Sequence, residues 1–319
     1  MRNVLLLCLM AVLTTHTGMS ADILSSGNTA NIPEAGVPQE LARWRKATYT
    51  DVWYRLHFDI PEERTERADG KITVSLRLET PADIVLDFRE PASSIHEIRI
   101  NGTLPQPSCI IQNEHIVIPA ALTRAGENTV DIVFTAGDQS LNRNDGFLYT
   151  LLVPDRARTL FPCFDQPDMK ALYTLSLEVP ATWKAVSNTY VDKEENLPAE
   201  EGKEARKLIT FSETEPLSTY LFSFVAGEFY RKDYDDGRHR FSAYYRETDT
   251  AKTAQLDDIF AEVAASLEWL EEYTGVPYPF AKYDFIILPG FQYGGMEHTG
   301  ATLYNDGRMF LSPNPTLGD

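Results

Sequence analysis

From Tyr49 onward the chain is written in period two: Val52, Tyr54, Leu56, Phe58 and Ile60 alternate with mostly polar neighbours, the pattern of a strand with one buried face. Similar short β-rich runs follow at Lys71–Leu78, Asp83–Phe88, Ile95–Ile100, His115–Ile118, Thr129–Phe134, Leu172–Val179, Lys207–Phe211 and Tyr220–Phe224. Pro, Gly, Asn and Asp separate them, which predicts a mainly β, largely antiparallel domain over residues 46–230. Residues 22–45, with Ser25-Ser26-Gly27-Asn28 and the stretch from Pro33 to Pro38, show no periodicity and read as a lead-in arm. Asp192–Arg206 carries Lys193-Glu194-Glu195 and Glu200-Glu201 between two strands and reads as a long solvated hairpin loop.

The period changes after a further strand at Arg238–Tyr245. From about Thr253, the residues Leu256, Ile259, Phe260, Val263, Leu267 and Leu270 recur every three or four positions, as on one face of a helix. Gly275, Pro277 and Pro279 end it. Tyr283–Leu288 is then almost continuously apolar, as in a strand covered on both faces. Helix followed by buried strand is α/β or α+β organisation, so residues 231–319 open a second, mixed domain. No internal repeat or low-complexity segment interrupts this order.

Two domains suit a chain of 319 residues. Its net charge of −18 repels phosphate backbones, and no Lys/Arg run interleaved with aromatics makes a local exception, which argues against nucleic acid as a partner. The first residues change the picture of the chain's fate. Arg2, the apolar run Val4–Leu13 and the small residues Gly18, Ser20 and Ala21 make residues 1–21 a secretory signal peptide. The apolar run is well short of the roughly 20 residues of a membrane span, so we expect an exported protein (periplasmic, cell-surface or secreted) with no transmembrane segment after signal removal. Cys8 leaves with the signal, and the remaining Cys109 and Cys163 are too few for a disulfide framework.

Candidate chemistry is concentrated in Pro289-Gly290-Phe291-Gln292-Tyr293-Gly294-Gly295-Met296-Glu297-His298-Thr299-Gly300. Adjacent glycines let a backbone approach a ligand closely or adopt positive φ, and an acid follows two residues later. Without context, such a run is more often a plain turn. Two further runs supply context. Phe161-Pro162-Cys163-Phe164-Asp165-Gln166-Pro167 resembles the F-P-C-F-D-E-P signature of aminopeptidase N-type zinc metallopeptidases, peptidase family M1, and Tyr278-Pro279-Phe280-Ala281-Lys282-Tyr283-Asp284 resembles the Y-P-x-x-K-x-D run preceding their G-x-M-E-N motif. All three runs stand in the family's order, and the similarity extends from about Tyr49 to the last residues.

The resemblance implies a saddle-like β domain followed by the start of a thermolysin-like α+β catalytic domain. It implies that Gly294 and Gly295 lie along a bound peptide, that Met296 packs beneath them, and that a buried Glu297 carboxylate pairs with the free α-amino group of the substrate. Phe161–Pro167 would be structural, with Cys163 and Phe164 in the core and Asp165 and Pro167 shaping the turn. Two positions depart from the family. His298 replaces the motif's Asn and is expected to titrate near neutral pH. Val153 stands where an ungapped alignment places a second polar anchor for the amine, and Asp155 is the nearest acid able to replace it.

The chemistry of the family also requires zinc held by two His and a Glu, with another Glu as general base, and the helical H-E-x-x-H spacing sets both His on one face. The histidines are His16, His57, His96, His115, His239 and His298, and none begins that motif. The expectation is therefore that zinc belongs to the full-length protein, that this chain binds none, and that the catalytic residues lie beyond Asp319. The partner implied is a peptide with a free N-terminus. Two rival readings are a non-catalytic binding module on the same scaffold and a zinc hydrolase acting on a non-peptide substrate.

Overall fold

A computed structural model describes residues 32–312 except Pro107, residues 199–201 and Lys203; the signal peptide and the start of the arm lie outside the described residues. The alternating stretch becomes the strand Tyr49–Asp59, with Tyr54, Leu56 and Phe58 buried and Arg55 exposed between them. It pairs antiparallel with Asp69–Leu78 on one side and parallel with Leu172–Pro180 on the other. Around this centre the seven-stranded sheet runs Val191–Asn196, Arg206–Phe211, Leu172–Pro180, Tyr49–Asp59, Asp69–Leu78, Gly126–Thr135, Ile95–Ile100. Its inner face packs Tyr54, Phe58, Phe134 and Tyr173 against Phe161, Phe222 and Phe224. A four-stranded sheet (Lys184–Ser187, Phe224–Gly227, Phe147–Thr150, Leu141–Asn144) and a three-stranded one (Ile84–Asp87, His115–Ile118, Ile110–Gln112) complete the β part.

Three expectations are corrected. Gln39–Thr48, at the end of the stretch read as an aperiodic arm, is an α-helix. Its residues are good helix formers, but its most deeply buried side chain is Arg45, so hydrophobic periodicity does not reveal its inner face. Within the expected loop Asp192–Arg206, Val191–Asn196 is an edge strand paired with Arg206–Phe211. All six residues are exposed, so there is no alternation to read, and its Lys and Glu side chains suit an edge that must not recruit another strand. The run Tyr220–Phe224 is a 3-10 turn at Thr219–Leu221, and the strand begins only at Phe224.

The mixed part begins with the hairpin Tyr230–Asp235 and Arg240–Tyr245. A single helical turn, Thr250–Thr253, is capped by the Asp249 carboxylate accepting from the Ala251 N–H at 2.8 Å, and leads into the helix Leu256–Thr274. That helix buries Leu256, Phe260 and Ala264 against Phe241, Phe285 and Ile287. Leu270, expected on the same face, is instead exposed, as are its neighbours Trp269 and Tyr273. Gly275 closes the helix in the left-handed conformation, its N–H bonded to the Glu271 carbonyl. The chain returns through Asp284–Leu288, parallel to both Arg240–Tyr245 and Ala301–Asn305. No described helix is long and apolar enough to cross a membrane.

The two parts share a core. Phe147, Tyr149, Val186 and Val225 of the four-stranded sheet meet Ile286, Leu288, Phe291, Met296 and Leu303 of the mixed part in one buried cluster.

Candidate functional site

Strand Asp284–Leu288 delivers the chain to a turn at Pro289-Gly290, where Gly290 takes φ +66°. Phe291 then drops into the shared core, its ring edge-on to Tyr149 at 5.5 Å between centroids. Asn305 fixes the next residues: its side-chain amide donates to the Phe291 carbonyl at 2.5 Å and its backbone N–H to the Gly294 carbonyl at 3.2 Å. Gly295–Met296 pairs antiparallel with Leu303 and Tyr304 as the terminal strand of the five-stranded sheet. Its outer side carries no partner strand among the described residues, so a sheet edge faces outward.

The glycine pair is used for access and not for an unusual backbone. Neither Gly294 nor Gly295 has positive φ. Both are exposed, and a side chain built on Gly294 would meet nothing within 4 Å. Met296, 5% exposed, anchors the edge from beneath. Glu297 follows on the open side. Its carboxylate is exposed and makes no hydrogen bond or ion pair with any described residue, which corrects the expectation of a buried acid.

His298 corrects a second expectation. It is completely buried, neither ring nitrogen has a hydrogen-bond partner, and burial pushes its pKa down to about 3. The imidazole is therefore neutral at physiological pH and does not titrate near it. Its backbone serves the local turn, donating to the Met296 carbonyl at 2.9 Å and accepting from the Ala301 N–H at 3.1 Å.

The structure brings Val153 to the same place: its side chain packs on the cluster that holds Phe291 and Met296. Asp155 does not replace it, because its carboxylate is taken by Arg158 at 2.8 Å. A residue with no sequence signal also reaches the edge. Asn188, 3% exposed and directly after strand Lys184–Ser187, donates to the Thr299 carbonyl at 2.9 Å. The partners are 111 positions apart, and nothing in either local sequence announces the contact.

The second motif is placed apart from this edge, in the β core. Cys163 exchanges backbone hydrogen bonds with Asp87 at 2.7 and 3.1 Å. The Asp87 carboxylate receives the two terminal guanidinium nitrogens of Arg45 at 2.8 and 2.6 Å and the backbone N–H of Asp165 at 2.8 Å, and His115 Nδ1 lies 2.9 Å from it. Burial pushes the Asp87 pKa up, but Arg45 and these hydrogen bonds outweigh it and hold it below the usual range. Asp165 has the opposite balance: burial dominates and raises it to about 6, although it accepts from the Arg158 N–H and the Thr219 hydroxyl. Burial raises the Cys163 thiol well above its ordinary value, so it is an inert core group and not a nucleophile.

The described residues bring no three His, Cys, Asp or Glu side chains together around a point that would hold a metal ion. His57 bonds Ser176, His96 bonds Thr135, His115 serves Asp87, and His239 pairs with Asp236. They do not fit a zinc site, and no chemical step is assigned to them.

Comparison with known proteins follows the division seen in the fold. Residues 51–221 match the Peptidase M1 N-terminal domain and residues 259–317 the Peptidase family M1 domain. The chain is 27% identical to an aminopeptidase N of Streptomyces lividans over 298 residues, covering 88% of this chain and 33% of the relative. It is 26% identical to mouse glutamyl aminopeptidase over 318 residues, covering 86% of this chain and 31% of that protein. With the rice aminopeptidase M1-A it shares 34% identity over 158 residues, 49% of this chain and 17% of the relative. The chain thus spans about a third of the length of the first two curated relatives.

Proposed function

Since the chain belongs to peptidase family M1, we propose that it is the N-terminal portion of an exported zinc-dependent aminopeptidase, and that Gly294, Gly295, Met296, Glu297 and His298 form its substrate edge. The observation that carries this reading is the free outer side of strand Gly295–Met296, ending in a carboxylate with no partner among the described residues. An extended peptide can add to such an edge through main-chain hydrogen bonds, with side-chain-free glycines leaving room for its backbone. An α-ammonium at its N-terminus then meets Glu297. His298 contributes through its backbone and its buried ring, and its departure from the family motif leaves the exposed face of the edge unchanged.

Magnitude matters here. Between exposed groups an ion pair is worth at most about 1 kcal/mol, too little to separate a chain end from a chain interior. Selectivity needs the pair to be covered, because truncating one partner of a desolvated charge pair costs roughly 2–5 kcal/mol. We assign that cover, together with the residues that would hold zinc and the general base that would serve hydrolysis there, to the part of the polypeptide that the relatives carry beyond the matched segment. Apolar Val153 beside the edge offers the amine no second polar contact, which predicts weaker amine capture and is the one feature that favours a non-catalytic binding module.

The test is zinc content together with hydrolysis of aminoacyl nitroanilides by the full-length gene product. About one zinc per chain, with cleavage of free-amine substrates and none of their N-acetyl counterparts, is the expected result. No zinc and no cleavage would leave the binding module in possession. Export is tested separately by cell fractionation and N-terminal sequencing, which should find the protein outside the cytoplasm and processed near Ala21.

A further inference from the structure

The substrate edge does not hold itself in place. The loop leading out of it, Thr299-Gly300, is gripped by a residue of the β domain. Asn188 donates its amide to the Thr299 carbonyl at 2.9 Å and to the Leu221 carbonyl at 2.9 Å, and its side-chain oxygen accepts from the Ser223 N–H at 2.9 Å. Gly300 is folded against the same residue: with φ +74°, any Cβ there would come within 2.1 Å of the Asn188 carbonyl oxygen. Beyond it, the Gly300 carbonyl accepts from the Asp284 N–H at 3.1 Å, tying the loop back to the central strand. A second cross-link, Tyr190 Oη to the Ala281 carbonyl at 2.9 Å, fastens the other end of that strand's lead-in to the same stretch of the β domain.

We propose that Asn188 is a positioning residue for the substrate amine: it uses the β domain as a fixed frame and sets the height of Glu297, two residues before Thr299, above the sheet edge. The inference rests on the amine-anchor reading of Glu297. A buried amide with its donors and acceptor engaged has one low-energy orientation, so the contact transmits the position of the four-stranded sheet to the edge. The anchor would touch the α-ammonium and not the scissile bond, so displacing it removes binding shared by ground state and transition state, which is read in KM. The role therefore belongs to KM and not to kcat.

Asn188→Asp is the probe. It keeps the acceptor for Ser223 but turns an oxygen toward the Thr299 and Leu221 carbonyls, pushing the loop away. In the full-length enzyme, N188D should raise KM for free-amine aminoacyl substrates about ten-fold and change kcat by less than about two-fold. In an E297Q background the same substitution should change KM by less than about two-fold, because the group it positions is gone. A merely structural role predicts an equal effect in both backgrounds, and that result overturns the proposal, as does an unchanged KM in folded N188D. Glu297→Gln alone decides the underlying reading: if it leaves KM unaltered, the anchor falls and the clamp with it. Should N188D not fold, Asn188→Ser, which keeps one hydroxyl donor at the position, is measured by the same criterion.

Discussion

The core motif around Cys163 and the edge motif around Glu297 treat polar groups in opposite ways. In the first, a buried carboxylate, Asp87, is surrounded by Arg45, His115 and a backbone N–H, and the adjoining chain is bonded on both sides. In the second, Glu297 has no partner among the described residues and the strand beside it has a bare edge. Two motifs of one family thus do different work. The former ties helix Gln39–Thr48 and the three-stranded sheet to the core, and the latter leaves donors, acceptors and charge available to a ligand. Polar satisfaction separates a carboxylate that holds the fold from one left free of structural partners among the described residues.

That contrast can be broken first at Asp87. Asp87→Ala leaves the Arg45 guanidinium buried without its counter-charge, which should cost about 3–5 kcal/mol, much of the roughly 5–15 kcal/mol that holds a domain together. Urea titration should show a greatly lowered midpoint or no folded protein at all.

His298 and Asp165 sharpen the contrast through pH. The folded-state pKa of His298, about 3, lies below its free value of 6.5, so the unfolded chain takes up the proton first. Stability from this residue is complete above pH 6.5 and is lost as pH falls toward 3, by about 2 kcal/mol between pH 7 and 5. His298→Asn should abolish that loss. Asp165 runs the other way: its folded pKa of about 6 lies above 3.8, so the folded state binds the proton first. Its contribution is greatest below pH 4 and is lost as pH rises through 6, by about 2 kcal/mol between pH 4 and 6. Asp165→Asn should remove that dependence. Between pH 4 and 6 the two slopes oppose, and each variant uncovers the other in urea unfolding measured across pH.

The smallest effect on stability belongs to Glu297. Exposed and without a partner among the described residues, it should tolerate Glu297→Gln with a change within about 0.5 kcal/mol, read as an unaltered urea midpoint.

How much of this the residues announce depends on the kind of burial. Strands with one wet and one dry face, such as Tyr49–Asp59, are legible because the alternation is strong. Phe147–Thr150 and Lys184–Ser187 are short and buried almost throughout, so they carry no alternation. Val191–Asn196 fails for the reverse reason, being wholly exposed. The helix Gln39–Thr48 is hidden by its buried arginine, a residue that reads as surface until Asp87, 42 positions away, is seen against it. At the site, the glycine pair and the acid mark the edge. The burial of His298, the capture of Asp155 by Arg158, and the grip of Asn188 on Thr299 come from tertiary packing that no local pattern encodes.

We propose that Glu297 is kept free of structural duty in order to bind an amine. The most direct measurement is kcat/KM of the full-length E297Q enzyme on an aminoacyl nitroanilide, taken beside its urea midpoint. The expected result is a loss of at least about 30-fold, the equivalent of roughly 2 kcal/mol, with the midpoint unmoved. Activity equal to the wild type, or a loss that tracks a fall in stability, would contradict it.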